Sequence, residues 1–247
     1  MKRLKVKLFL LIILVCLAFA SAAYALRPFI FGIEKAMELH HDVEVFRETA
    51  RAAQQNAAPD KDKGQEETPP YLALRQNLLI YNNALYYNQK KKLDSKSAYE
   101  VSQFKLTDYG LPSEIFGVLT IPAMNLEMPL YLGANEENLA NGAAVLSQTS
   151  IPIGGIGTNA VIAGHRGWNG YKYFMDIELL GPGDEIAITN LWETLTYQVV
   201  EIRIVMPNDV DAIMIRPDRD MITLLTCHPP NTGGQYRYLV YCERIQK

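Results

Sequence analysis

The sequence predicts a mainly β domain, either a barrel or a sandwich, that follows a helical amino-terminal part. From residue 111 onward, apolar residues fall into short runs that Pro and Gly residues separate. Many short strands with frequent turn signals are typical of barrels and sandwiches. The chain has 247 residues, of which 49% are hydrophobic, enough for one sizeable core with additions. We therefore expect one principal domain and divide the chain into residues 1–27, 28–110 and 111–247.

The amino terminus joins a basic segment to a long apolar run. Residues 1–27 include five basic residues and no acidic one, and residues 8–26 carry no charge. This run is about long enough to cross a bilayer as a helix, and the basic residues before it favour an exported body. The alternative is a cleaved signal peptide, because residues 20–22 and 23–25 both fit a cleavage pattern. In the anchored case we expect a single-pass protein of the cell membrane with its body on the extracellular face.

The charge distribution argues against nucleic acid as a partner. The formal net charge is −3, and because the amino-terminal 27 residues are basic, the rest of the chain is more acidic than this sum. An acidic surface repels a phosphate backbone.

Two helices joined by a polar stretch are predicted before the β region. The first covers roughly residues 33–55, and the second carries Leu74, Leu78 and Leu85 on one face. Residues 52–70 between them have no apolar side chain larger than alanine, so we expect a linker or a mobile loop there.

The β region is predicted to contain eight strands and two helical insertions. The insertions are expected near residues 136–144 and 171–180. The strands are expected at residues 115–121, 126–132, 160–163, 185–188, 195–205, 212–215, 222–226 and 238–241.

One thiol stands at the end of a predicted strand. The apolar run from Ile222 leads to Cys227, a loop rich in Pro and Gly follows, and Arg237 opens the next strand. Strand ends beside loops can hold a reactive side chain and leave it open to substrate. A thiolate attacks carbonyl groups to give a thioester, and an arginine can stabilise the oxyanion that develops. This pair of residues suits acyl transfer.

Two histidines are candidates for the base beside this thiol. His165 follows the strand at 160–163 among glycines, whereas His228 is next to Cys227 in the sequence. Successive residues on a strand point to opposite faces, so His228 should face away from the thiol, and we prefer His165. These residues show no zinc-type spacing. We therefore predict no metal and no cofactor.

The cysteines leave a second interpretation open. Cys16 lies in the apolar run, so the exported body contains only Cys227 and Cys242. A disulfide between these two would be possible in an oxidising compartment and would make the protein a catalytically silent surface-binding or structural module. Disulfide frameworks usually have more cysteines. We expect Cys242 to be a buried free thiol.

Three segments of the chain resemble the sortases, which are cysteine transpeptidases of Gram-positive cell surfaces. Thr223 to Cys227 is similar to their Thr-Leu-x-Thr-Cys signature, and Ala163 to Gly167 is similar to the segment that holds their histidine. Arg237 lies where their arginine follows. The resemblance covers about residues 111–244 and implies a closed eight-stranded β-barrel.

The resemblance also implies roles for individual residues. Cys227 would be the nucleophile, His165 the general acid and base, and Arg237 the residue that positions substrate and stabilises the oxyanion. The neighbouring Thr226, Gly164 and Arg166 would bind substrate. The implied substrate is a sorting signal of the Leu-Pro-x-Thr-Gly kind, cleaved after threonine and transferred to an amine.

Residues 151–155 and the helical region before the barrel look most like class C sortases, the pilin polymerases. In that class the acceptor amine is a pilin lysine, whereas housekeeping sortases anchor surface proteins to a cell-wall precursor amine. Class C members usually have a lid with an Asp-Pro-aromatic motif, and this chain has no Asp-Pro dipeptide. Residues 52–70 occupy the position of a lid, in which Pro70 and Tyr71 are the candidate plug.

Overall fold

The computed structural model describes residues 2–57, 69–92 and 97–245, and its centre is a closed β-barrel. The strands are β1 (Ile115–Ile121), β2 (Leu126–Leu132), β3 (Ala143–Val145), β4 (Thr158–Ala163), β5 (Glu185–Thr189), β6 (Thr194–Val205), β7 (Asp220–His228) and β8 (Tyr236–Arg244). Going around the barrel, the strand order is β1-β2-β3-β4-β7-β8-β6-β5. The predicted closed eight-stranded barrel is therefore confirmed.

One predicted strand is wrong and one strand was missed. Residues 210–213 form a 3₁₀ turn where the sequence predicts a strand from residue 212. In the first helical insertion, helix α3 (Glu136–Asn141) ends before β3 begins, so only part of that insertion is helical. Strand β3 has three residues, all buried, and so shows no alternation that sequence analysis could detect. The second insertion contains only a 3₁₀ turn at residues 177–179.

Strands β4 and β7 form a parallel pair in the barrel wall. The residues of β4 are all buried, and β7 is buried from Met221 to Thr226. Parallel strands covered on both faces have continuous apolar runs rather than alternating ones. The burial of both faces explains why these two strands were easy to recognise in the sequence. The pairing of β4 with β7 holds together the two strand ends that lead to His165 and Cys227.

Helix α1 (Lys2–Ala57) is one continuous helix of 56 residues. The predicted membrane segment and first helix are therefore joined, and the helix extends six residues into the predicted linker. Its buried side chains begin at Leu39 and recur at Val43, Phe46 and Ala50, the spacing of one helix face. This face packs on β1 and β2, and Arg47 forms an ion pair with a glutamate of β2.

Helix α2 (Leu72–Lys92) lies against the connection between β3 and β4. Its predicted apolar face is confirmed, because Leu74, Leu78 and Leu85 are buried. The buried Asn82 amide donates to the Ile151 carbonyl (2.9 Å) and accepts from the Ile151 N–H (2.8 Å). The helix therefore pins the β3–β4 connection to the outside of the barrel.

Candidate active site

The candidate site lies where β4 and β7 end side by side. Their parallel pairing continues to the last residue of β4. Beyond it, the Gly164 N–H donates to the Leu225 carbonyl (3.1 Å), and the Thr226 hydroxyl donates to the Gly164 carbonyl (2.7 Å). The same register places the next residue, His165, alongside Cys227. Paired strands lie about 4.8 Å apart, so we expect the side chains of His165 and Cys227 to lie near each other.

The other side of the thiol is occupied by the start of β8. Cys227 is directly opposite Arg237 in the antiparallel β7–β8 pair. Directly opposed residues have their side chains on the same face of a sheet. Cys227 is exposed, while the residues before it on β7 are buried. The fold therefore brings the strand ends that carry the three predicted catalytic residues to one end of the barrel.

The loop between β7 and β8 approaches the thiol closely at Gly234. The Arg237 Nη1 donates to the carbonyl oxygens of Gly234 (2.8 Å) and Tyr236 (3.1 Å). A Cβ added to Gly234 would lie 3.0 Å from the Cys227 Sγ and 2.9 Å from that Nη1, and the φ of Gly234 is +78°. Only glycine fits this backbone and this space. The sequence marked the residue as a turn former but not as a neighbour of the thiol.

The imidazole of His165 is enclosed by aromatic rings. Its ring centroid lies 4.6 Å from that of Trp168 and 5.7 Å from that of Tyr173, both in edge contacts. Burial lowers the pKa of His165 from its ordinary value of 6.5, because a charged imidazolium is less well solvated there. At neutral pH the imidazole is therefore mainly uncharged and can accept a proton from the thiol.

Arg166 and His228, which follow His165 and Cys227 in the sequence, lie on the opposite face of the barrel wall. Arg166 is buried, and its Nη2 lies 2.6 Å from the Glu178 Oε1. The Nδ1 of His228 lies 3.3 Å from the same oxygen, and Tyr238 lies between these groups. This arrangement keeps His228 away from Cys227, as the strand alternation predicts. Glu178 had no signal in the sequence, because its role depends on two distant segments meeting.

The three residues predicted to bind substrate make contacts within the protein at the ends of the two strands. The Thr226 side chain is buried and its hydroxyl is committed to a backbone carbonyl. A Cβ on Gly164 would touch the Phe174 ring at 2.9 Å, which shows how tightly this segment is packed. Arg166 is turned toward Glu178. The side chains of Thr226 and Arg166 and the backbone of Gly164 thus hold the strand ends in place, and their contact with substrate stays a prediction.

The candidate plug of the lid lies far from the thiol. The Pro70 carbonyl accepts a hydrogen bond from the Trp192 Nε1 (2.7 Å) in the turn between β5 and β6. This turn is at one end of β6, and Val205 at the other end pairs with Arg237. Pro70 and the adjacent Tyr71 therefore do not plug this site. Most of the predicted lid, residues 58–68, lies outside the described residues.

The two cysteines of the body are free and far apart. Cys227 is exposed and Cys242 is buried. Cys242 of β8 is paired with Ile222 of β7. Ile222 precedes Cys227 by five residues, which corresponds to about 16 Å along β7. A disulfide needs Cα atoms within about 7 Å. The disulfide-bridged silent module is therefore excluded in this fold, and burial raises the pKa of the Cys242 thiol.

Thiol labelling should separate these two cysteines. In the folded full-length chain, a polar maleimide is expected to modify Cys227 and to leave Cys242 unmodified, because the second thiol is buried and protonated. Peptide mass spectrometry after labelling measures each site. After unfolding, Cys242 should become reactive. Modification of both cysteines at similar rates before unfolding would contradict the burial described above.

A closed eight-stranded barrel with a thiol, an imidazole and a guanidinium at one end defines the sortase type of fold and site. Comparison with known families agrees, since the Sortase domain family model matches residues 119–245. The chain belongs to the sortase family.

Solved structures similar to this chain include class C sortases. Sortase C1 of GBS Pilus Island 1 has a TM-score of 0.68 and 26% identity, and the match covers 84% of this chain and 98% of that one. Sortase C-1 from Streptococcus pneumoniae has a TM-score of 0.67 and 29% identity, and the match covers 84% and 99%. These matches agree with the class C resemblance of the sequence.

Curated relatives are sortases of other classes. Sortase A of Bacillus anthracis is 29% identical over 149 residues, which cover 60% of this chain and 67% of the relative. Sortase D of Bacillus subtilis (strain 168) is 27% identical over 131 residues, which cover 52% and 63%. The match to the Bacillus subtilis protein thus spans less than two thirds of its length.

Proposed function

We propose that this protein is a membrane-anchored cysteine transpeptidase that cleaves a Leu-Pro-x-Thr-Gly-like sorting signal after threonine. The observation that carries the proposal is the exposed thiol of Cys227, which is paired with Arg237 and lies beside the end of the strand that leads to His165. Each of the three groups is needed for acyl transfer through a thioester: a nucleophile, a proton carrier and an oxyanion stabiliser.

In the first half-reaction, the sulfur of Cys227 attacks the threonine carbonyl while His165 takes the thiol proton. The carbonyl oxygen becomes an oxyanion, and the guanidinium of Arg237 stabilises it. When the Thr–Gly C–N bond breaks, His165 gives its proton to the departing glycine amine. The product is a thioester between threonine and Cys227, and the carboxyl-terminal part of the signal leaves.

In the second half-reaction, an amine attacks the thioester. His165 accepts a proton from the attacking nitrogen, a new amide bond forms, and the proton returns to the departing sulfur. Atoms and charges balance without metal or redox chemistry being required. Water in place of the amine would give simple hydrolysis of the signal.

An apolar recess beside Arg237 supports a peptide substrate. It lies between the ends of β6, β7 and β8, with Val205, Leu225 and Leu239 in its wall. Its volume is about 30 Å³, less than a leucine or proline side chain fills, so it offers the peptide an apolar contact and not a pocket.

Helix α1 supports the anchored location. It is the one helix in the described part of the chain that is long and apolar enough to cross a membrane. The basic residues at its start favour an inside amino terminus and so support a barrel on the extracellular face.

We propose a pilin lysine as the acceptor amine. The support comes from the class C structural relatives, one of which is named for a pilus island. The alternative is a cell-wall precursor amine, as for housekeeping sortases, and curated relatives named Sortase A keep it as the second candidate. Both acceptors use the same thioester, so only the product distinguishes them.

A transfer assay tests the proposal. The full-length enzyme is incubated with a Leu-Pro-x-Thr-Gly peptide and either a pilin domain or triglycine, and products are identified by mass spectrometry. We expect cleavage between threonine and glycine and an isopeptide bond to a pilin lysine. A pilin domain with that lysine replaced by arginine is the control. Transfer to triglycine alone would contradict the pilin acceptor, and absence of cleavage would contradict the transpeptidase.

A further inference from the structure

Helix α1 runs obliquely along the barrel toward the candidate active site. Near its carboxyl end, the Gln54 Nε2 donates to the Leu191 carbonyl (3.3 Å), in the turn between β5 and β6. Nearer the membrane segment, the Lys35 Nζ donates to the Asn141 Oδ1 (2.9 Å), just before β3. The start of β3 is paired with the end of β4, where the candidate site begins. The helix therefore approaches the active-site end of the barrel as it approaches its membrane segment.

Helix α1 also contacts the loop that follows His165. A Cβ added to Gly32 would overlap the carbonyl oxygen of Gly170, and a Cβ added to Gly170 would overlap that of Pro28. Gly170 also has a φ of +80°. Two glycines thus let the helix backbone and the loop backbone touch. The contact fixes this loop, five residues beyond His165, to the helix.

The contact lies close to the end of the uncharged run. That run ends at residue 26, and Gly32 is six residues further on, which is about 9 Å along a helix. The headgroup layer on each side of a bilayer is about 5–8 Å thick. Exposed side chains remain apolar through Phe29, Ile30 and Ile33, and the first acidic residue of the helix, Glu34, follows. The helix therefore keeps an interfacial character up to the loop contact.

A concave space of about 400 Å³ lies between the helix and this loop. The Arg27 guanidinium lies 5.4 Å from the centroid of the Phe31 ring at this space, and Asn169 contributes an amide from the loop. A cation and an amide donor above apolar walls suit a lipid phosphate with its acyl chains below. The exposed Trp168 is adjacent to this space, and its indole is of the kind enriched at membrane interfaces.

We propose that the active-site end of the barrel faces the bilayer and that residues 167–170 are seated in the lipid headgroup layer. In this arrangement Arg27 and Asn169 bind a lipid phosphate, and Trp168 lies at the interface. The proposed function requires an anchor but sets no orientation, so this inference rests on the anchor and goes beyond it. Its consequence is that Cys227 and His165 act close to the membrane surface, on substrate held there.

The two tryptophans of the chain make a matched pair of reporters. Trp168 is in the proposed contact, whereas Trp192 is next to the Gln54 contact, 22 residues or about 33 Å along α1 from Gly32. In full-length W192F only Trp168 emits, and in full-length W168F only Trp192 emits. Each variant is placed in phosphatidylcholine and phosphatidylglycerol vesicles with or without a lipid that carries a nitroxide on its headgroup.

We expect the nitroxide lipid to reduce Trp168 emission about twofold or more, as for an interfacial indole, and to leave Trp192 emission unchanged. Quenching of neither tryptophan, in protein that stays with the vesicles after a carbonate wash, would overturn the orientation and leave the anchor intact. Quenching of both would also overturn it. Loss of the protein from the vesicles would overturn the anchor and this inference together.

A second pair of variants tests the glycine contact. In the W192F background, Gly32→Leu should push the loop from the helix and weaken the quenching of Trp168. Ala36→Leu, one turn further along α1 at an exposed position, is the control and should leave the quenching unchanged. Equal quenching in the two variants would overturn the role of this contact.

Discussion

Replacing Cys227 with alanine should abolish cleavage of the sorting peptide, with a loss of at least about 10⁴-fold in kcat. No other described thiol can take its place, because Cys242 is buried on β8 and Cys16 lies in the apolar segment of α1. The Cys227 side chain is exposed at the end of β7, so its loss should scarcely change the stability of the barrel. The measurement is peptide release followed by chromatography, with thermal unfolding as the check on folding.

The matched control for this variant is Cys242→Ala. It removes a thiol of the same chemistry from a position that has no access to substrate. We expect it to lower the free energy of unfolding by about 1 kcal/mol through lost packing and to retain cleavage. Retained cleavage in Cys227→Ala, or its loss in folded Cys242→Ala, would show that the nucleophile is misassigned.

The ends of β4 and β7 show why so much of the site could be predicted. Both strands are mainly apolar and end before a glycine or a proline, so the sequence places Cys227 and His165 at strand ends. Alternation along β7 then excludes His228 from the thiol face. Sequence alone could not predict the parallel pairing that brings the two strand ends together, because the sequence of one strand does not show which strand it pairs with.

Other features escaped prediction for identifiable physical reasons. Strand β3 is too short to show a period, so its first two residues were assigned to a helix. Glu178 acts by meeting Arg166 and His228 across two loops, and no local pattern encodes such a meeting. The family resemblance assigned Arg166 to substrate, yet its guanidinium is buried beside Tyr238 and Glu178.

The contact between α1 and residues 167–170 links the fold to the proposed chemistry. His165 precedes this loop, and Trp168 in the loop packs on its imidazole. The proposed anchor helix therefore also supports the segment that holds the proposed general base. A body released from the membrane would keep the three catalytic groups on the barrel but lose part of this support.

Replacing His165 with alanine should reduce cleavage by about 10²–10⁴-fold, the usual contribution of a positioned general acid and base. Without the imidazole, no described side chain on the thiol face can take the proton from Cys227 and return it to the leaving amine, because His228 is turned toward Glu178. The matched control is His228→Ala, which should change the rate much less. Equal losses in the two variants would mean that the wrong histidine was chosen.

The pH dependence of the wild-type enzyme gives an independent check on His165. Because burial lowers the pKa of its imidazole below 6.5, the uncharged form persists as the pH falls through 6.5 and is lost only at lower pH. The acid limb of kcat/KM, which reports groups of the free enzyme, should therefore lie below pH 6.5. Exposure of the imidazole would raise this limb, so replacing Trp168 with alanine should move it toward 6.5. An acid limb at or above 6.5 in the wild type would contradict the burial of this residue.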